Sequence, residues 1–136
     1  MEELLAQLKR HEGLRLSAYQ DSLGYWTIGY GRMIDKRKGG GISVEEAERL
    51  LRNDVERVDK MLGDVLLNDP VRRAVILNMT FQLGLGGVRN FKRMWEAINR
   101  EDWEMAAQEG LNSRWAQQTP GRARELMEQL RTGRWK

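Results

Sequence analysis

The chain has 136 residues, with 23 Lys or Arg against 20 Asp or Glu and a formal charge of +3, a length suited to one domain with its own core. The absence of cysteine and the single histidine, His11, exclude a disulfide framework, a thiolate nucleophile, and a cysteine or multi-histidine metal centre. Hydrophobic residues at 40% and charged ones at 32% describe a globular domain, no apolar run approaches the ~18 residues of a membrane span, and the mild positive excess favours anionic surroundings without choosing between nucleic acid and cell envelope.

In the opening MEELLAQLKRHEG, Leu4, Leu5 and Leu8 share a helical face, and Gly13 offers a stop just after Glu12. Gln7, Lys9 and Arg10 interrupt that apolar face, so it lacks the continuous core of a secretion signal. The protein is therefore expected to fold in the compartment where it is made, or to leave it by a route the chain does not encode. From Leu14 to Ile34, β-formers flank Asp21-Ser22-Leu23-Gly24, which predicts a hairpin. A basic loop, DKRKGGG, is expected over Asp35–Gly41.

Ser43 and Glu46 have capping-box spacing, and a helix is predicted from there through Val55, Val58 and Leu62. Asp69-Pro70 reads as a cap and first-turn pair opening a helix that runs to Gly84. Further helices are expected over Val88–Ile98 and Glu101–Asn112, and from Thr119-Pro120 to Arg131 with Gly133 beyond. The fold class is α+β, mostly helical, as one domain over 1–136 with two lobes. About 13–42 would form a small β-hairpin lobe, 1–12 with about 63–136 a helical lobe, and 43–62 the connecting helix. An extended ligand would lie in a cleft between such lobes.

Three residues in the first third carry the candidate chemistry. A glutamate in the last turn of a helix, Glu12, faces the negative end of the macrodipole, which disfavours its ionised form and suits a general acid. Asp21 sits at the hairpin turn and Thr27 in the returning strand. Two carboxyls with different protonation are the minimum equipment for glycoside hydrolysis. Each residue also has an ordinary reading: a helix-end glutamate, an Asx-turn aspartate, a strand threonine. His11 reads as an exposed bystander, Trp95 and Trp103 as core, and the arginine clusters as solvated faces.

The run HEGLRLSAYQDSLGYWTIGYGRMI strongly resembles the phage-type lysozymes, the muramidases of T-even bacteriophages and their relatives. VRRAVILNMTFQLGLGGVRNF and SRWAQQTPGRARELMEQLRTGRW extend the resemblance over nearly the whole chain, with a gap at DKRKGGG where this chain is shorter. The resemblance implies a two-lobed lysozyme-like fold and hydrolysis of the β-1,4 bond between N-acetylmuramic acid and N-acetylglucosamine in bacterial peptidoglycan. Glu12 would be the acid, with Asp21 and Thr27 orienting water on the opposite face of the sugar, giving inversion. Substrate contacts would fall on Phe81 and Met33, and on Met94 and Glu109, where the best-known members carry small polar or amide side chains. Arg122 in TPGR matches an arginine that pairs with the catalytic glutamate. The usual histidine after I-G-x-G is here Arg32, which predicts an Arg32–Asp54 ion pair.

By the same resemblance the protein would be a monomeric phage or prophage endolysin needing no metal or cofactor. It would bind no nucleic acid, insert in no membrane, and accumulate in the bacterial host cytoplasm until the membrane is permeabilised. Two rivals remain at this point: a lytic transglycosylase, which cleaves the same bond without adding water, and a non-enzymatic basic helical module that binds nucleic acid.

Overall fold

Gly13, with φ at +72°, ends the first helix, α1 (Glu2–Glu12), while its amide still donates to the Lys9 carbonyl at 3.0 Å. Left-handed backbone after the last helical residue is a conformation glycine adopts without a Cβ penalty. The computed structural model describes residues 2–34 and 41–135; of the basic loop expected at Asp35–Gly41, all but Gly41 lies outside them. The fold is α+β and mostly helical, with one three-stranded antiparallel sheet in the order β1-β2-β3. By contacts the chain divides into two compact units, Met1–Leu51 and Arg52–Lys136.

In the first unit, β1 (Arg15–Gln20) and β2 (Trp26–Gly29) form the predicted hairpin, pairing Tyr19 with Thr27 and Gln20 with Trp26. A third strand, β3 (Arg32–Met33), pairs with β2 through Thr27–Met33 and Ile28–Arg32. At two residues it is too short for an alternating pattern to reveal. Lys9 lies over the Tyr30 ring at 5.6 Å, tying α1 to the turn between β2 and β3. The capping box forms as predicted: the Glu46 amide donates to Ser43 Oγ at 3.1 Å and the Ser43 amide to Glu46 Oε1 at 3.5 Å. It opens α2 (Val44–Leu62), whose first residues belong to this unit.

Arg32 and Asp54, the expected ion pair, lie in different units, and each has a partner within its own. Arg32 Nη2 donates to Glu46 Oε2, and Asp54 pairs with Arg57 one helical turn on, at 3.0 Å. Glu46 already faces Arg32 because the capping box turns its carboxylate back towards the start of α2.

The second unit is all helix. Asp69 caps α3 (Pro70–Arg89), accepting from the Arg72 amide at 3.3 Å, with Pro70 in the first turn. The helix breaks where expected, at Gly84 (φ 77°, ψ 161°), then resumes as far as Arg89. α4 (Lys92–Asn99) therefore starts later than Val88, which is fully buried at the end of α3. Asp102 caps α5 (Trp103–Leu111) and Ser113 caps α6 (Arg114–Gln118), a five-residue helix too short to announce itself in sequence. α7 (Pro120–Thr132) ends at Gly133, φ 71°. Thr119 does not cap it; its hydroxyl donates back to the Trp115 carbonyl at 3.0 Å.

The core of this unit centres on Val75, Ile76, Met79, Met94, Met127 and Leu130. Trp95 and Trp103 pack against it half-buried, as expected of core residues. Two arginines in the first turn of α3 hold the helix ends. Arg72 donates to the Leu130 and Arg131 carbonyls at 2.6 and 3.1 Å and stacks over Trp103 at 4.1 Å. Arg73, only 8% exposed, reaches the Val65 carbonyl, the Asp59 carbonyl and the Asp59 carboxylate. The last carbonyls of α7 are thus met by a cation, which also suits the negative end of a helix.

Candidate active site

Glu12 is the last residue of α1, and its carboxylate is seated on Gly31 in the turn between β2 and β3. A Cβ at Gly31 would lie 2.2 Å from Glu12 Oε2 and 2.7 Å from its Cδ. Gly31 is also at φ +72°, so glycine is required there for backbone and for space. Gly29, also at +72°, has nothing within 4 Å of its Cβ position.

Asp21 occupies the turn between β1 and β2. Its Oδ1 accepts from the amides of Leu23 and Tyr25, both at 2.9 Å, which is the Asx-turn role. Thr27 lies in the central strand, 3% exposed, and its hydroxyl donates to the Tyr25 carbonyl at 3.1 Å. The Tyr25 backbone is therefore held from both sides, its N–H by Asp21 and its C=O by Thr27. With its proton committed to that carbonyl, Thr27 Oγ1 has lone pairs to offer a water. Among the described residues Asp21 Oδ2 takes no hydrogen bond, so it too can accept from one. Met33 is Thr27's partner across the ladder, so their side chains share a face of the sheet.

Among the described residues beside this sheet, Glu46 is clearly perturbed. The Arg32 guanidinium holds the Glu46 carboxyl below the usual glutamate range, helped by the hydroxyl and amide of Ser43 and opposed by partial desolvation. His11 is exposed. No group of three or more His, Asp or Glu able to hold a metal occurs among the described residues.

The first unit thus holds Glu12, Asp21, Thr27 and Met33, and the second the other predicted contacts. Phe81 on α3 is 45% exposed, and Glu109 on α5 is half-buried. Met94 is 1% exposed within the core, so a sugar contact through its side chain is ruled out by packing. The guanidinium of Arg122, expected on the catalytic glutamate, engages Asn78: Nε and Nη2 reach its Oδ1 at 3.0 and 2.6 Å. Sequence reasoning missed Gly31 and Asn78 as site partners. The paired glycines of I-G-Y-G signalled the first, and nothing local signalled the second.

The family model for phage lysozyme matches residues 9–132. The pre-baseplate central spike protein Gp5 of Enterobacteria phage T4 is 35% identical over 155 residues, covering 93% of this chain but only 27% of that protein. Probable T4-type lysozyme 1 of Dictyostelium discoideum is 31% identical over 156 residues, covering 93% and 92% of the two chains. An endolysin of Acyrthosiphon pisum secondary endosymbiont phage 1 is 45% identical over 62 residues, 46% of this chain and 42% of that one.

Proposed function

We propose, from the premise that this chain belongs to the phage lysozyme family, that it is a peptidoglycan hydrolase cleaving the β-1,4 bond between N-acetylmuramic acid and N-acetylglucosamine. The observation that carries the reading is the hydrogen-bonded unit Asp21–Tyr25–Thr27 on the same small sheet that seats the Glu12 carboxyl. Glu12 gives its proton to the glycosidic oxygen as the bond to the anomeric carbon breaks. A water held by Asp21 Oδ2 and Thr27 Oγ1 attacks that carbon from the opposite face and passes a proton to Asp21. The product is a reducing muramic acid with inverted anomeric configuration.

A lytic transglycosylase needs the acid but no water-holding pair, so Asp21 and Thr27 favour hydrolysis. A nucleic-acid module gives Glu12 no task. Acid, base and hydroxyl complete the chemistry with no metal or cofactor. Met33 and Phe81 are proposed as sugar contacts, with Arg122 supporting. We further propose a monomer acting on the wall from the host cytoplasm once the membrane is permeabilised. No helix among the described residues is long and apolar enough to cross a membrane.

Glu12→Gln tests the reading. It preserves size and hydrogen bonding but removes the transferable proton, so hydrolysis of purified wall should fall ~10²–10⁴-fold while the melting temperature holds. Residual activity within a few-fold of the parent would remove Glu12 from this role.

A further inference from the structure

We infer that a groove on the second unit, formed by the end of α2, the kinked tail of α3 and one face of α4, binds a second length of the peptidoglycan polymer without cleaving it. This rests on the hydrolase reading for the identity of the polymer. The groove encloses about 470 Å³, within the ~300–1,000 Å³ of small-ligand sites. Leu62, Val65, Leu85 and Trp95 floor it. The indole is fixed in place, because Trp95 Nε1 donates to the Val88 carbonyl at 2.9 Å and the ring packs half-buried on the core. A rigid aromatic and aliphatic floor suits the C–H face of a sugar ring, and ordering it costs little entropy on binding.

The rim identifies the ligand further. Arg89, Lys92, Glu96 and Asn99, all exposed, complete its lining. Among the described residues Arg89, Lys92 and Glu96 make no ion pair, so all three charges are available. Residues 1–51 carry eight Lys or Arg and eight Asp or Glu, so the whole formal excess of +3 lies in residues 52–136. A uniform polyanion such as a phosphodiester backbone would meet Arg89 and Lys92 but leave Glu96 without a partner. A stem peptide carries both carboxylates and a free amine, and the mixed rim complements both; Asn99 offers an amide to an N-acetyl group. The occupant is therefore an N-acetylated glycan with its peptide, the same chemistry as the proposed substrate.

The test is co-sedimentation with purified sacculi, using the Glu12→Gln protein so that the wall persists. Arg89→Glu with Lys92→Glu should cut the bound fraction about tenfold, because two exposed attractive contacts become repulsive. Arg124→Glu with Arg134→Glu makes the same change in net charge on and beyond α7 and should leave binding in place. With Glu12 intact, both double variants should hydrolyse a soluble tetrasaccharide of the polymer at the parental rate. Equal loss of binding in both pairs, no loss in either, or a matching loss on the tetrasaccharide overturns the proposal. So does a dimer in sedimentation that the Arg89→Glu/Lys92→Glu change disperses, since the groove would then hold a second copy. If the parent cleaves neither sacculi nor tetrasaccharide, the hydrolase reading fails, and the sedimentation result still decides the groove.

Discussion

Asp21 has two tasks, and its two oxygens divide them. Oδ1 holds the turn by accepting from Leu23 and Tyr25, which leaves Oδ2 for the proposed water. Asparagine can repeat the first task with its carbonyl oxygen but not the second. Asp21→Asn should therefore keep the melting temperature and lose wall hydrolysis, while Asp21→Ala should lose both. The alanine variant gives up two backbone hydrogen bonds worth about 1 kcal/mol each, discounted because the turn is partly exposed. Equal activity of Asp21→Asn and the parent would show that the turn role is the whole of its function. Gly31 allows a similarly clean separation. Gly31→Ala and Gly29→Ala share a positive φ, so each should cost about 1 kcal/mol of stability. Only Gly31→Ala drives a Cβ into the Glu12 carboxylate, and moving a catalytic group by about 1 Å costs on the order of a hundredfold. Steady-state hydrolysis by the two variants checks this; similar activities would mean that the seat on Gly31 is irrelevant.

Among the elements, α2 carries a resolved carboxylate shift. The Arg32 guanidinium, with Ser43, depresses the folded value for Glu46 below its ordinary 4.5. A depressed carboxylate stabilises the fold above its unfolded value, and the contribution disappears as pH falls through the folded one. Glu46→Gln should therefore flatten the acid side of a plot of melting temperature against pH. Arg32→Gln should do the same, and the double variant should add nothing further. An acid limb unchanged by Glu46→Gln would contradict the assignment. Elements with local signals were legible in sequence: the Ser43–Glu46 box, the Asp69-Pro70 start, the Gly84 break and the Gly133 stop each rest on backbone chemistry within four residues. β3 and α6 escaped because two and five residues carry no period. Partnerships across distance also escaped: Arg32 with Glu46 and Arg122 with Asn78 depend on how elements pack, which spacing along a chain does not encode.

For the whole molecule, what was legible of the site divides in the same way. Glu12, Asp21 and Thr27 sit at a helix end, a turn and a strand, each open to an ordinary reading, and their roles rest on the family resemblance; all three lie in the unit Met1–Leu51. The Tyr25 bridge was not foreseeable, because its groups are backbone and carry no residue signature. Met94 shows the opposite failure: the family resemblance marked it for a sugar, and burial in the core gives it another task. The chain spans nearly all of a Dictyostelium lysozyme-type protein but about a quarter of the phage spike protein. The most direct test of the proposed reaction is digestion of purified peptidoglycan with mass spectrometry of the released ends. The account predicts reducing muramic acid, formed by addition of water and absent from digests with Glu12→Gln. Anhydromuramic ends would contradict it and identify a transglycosylase.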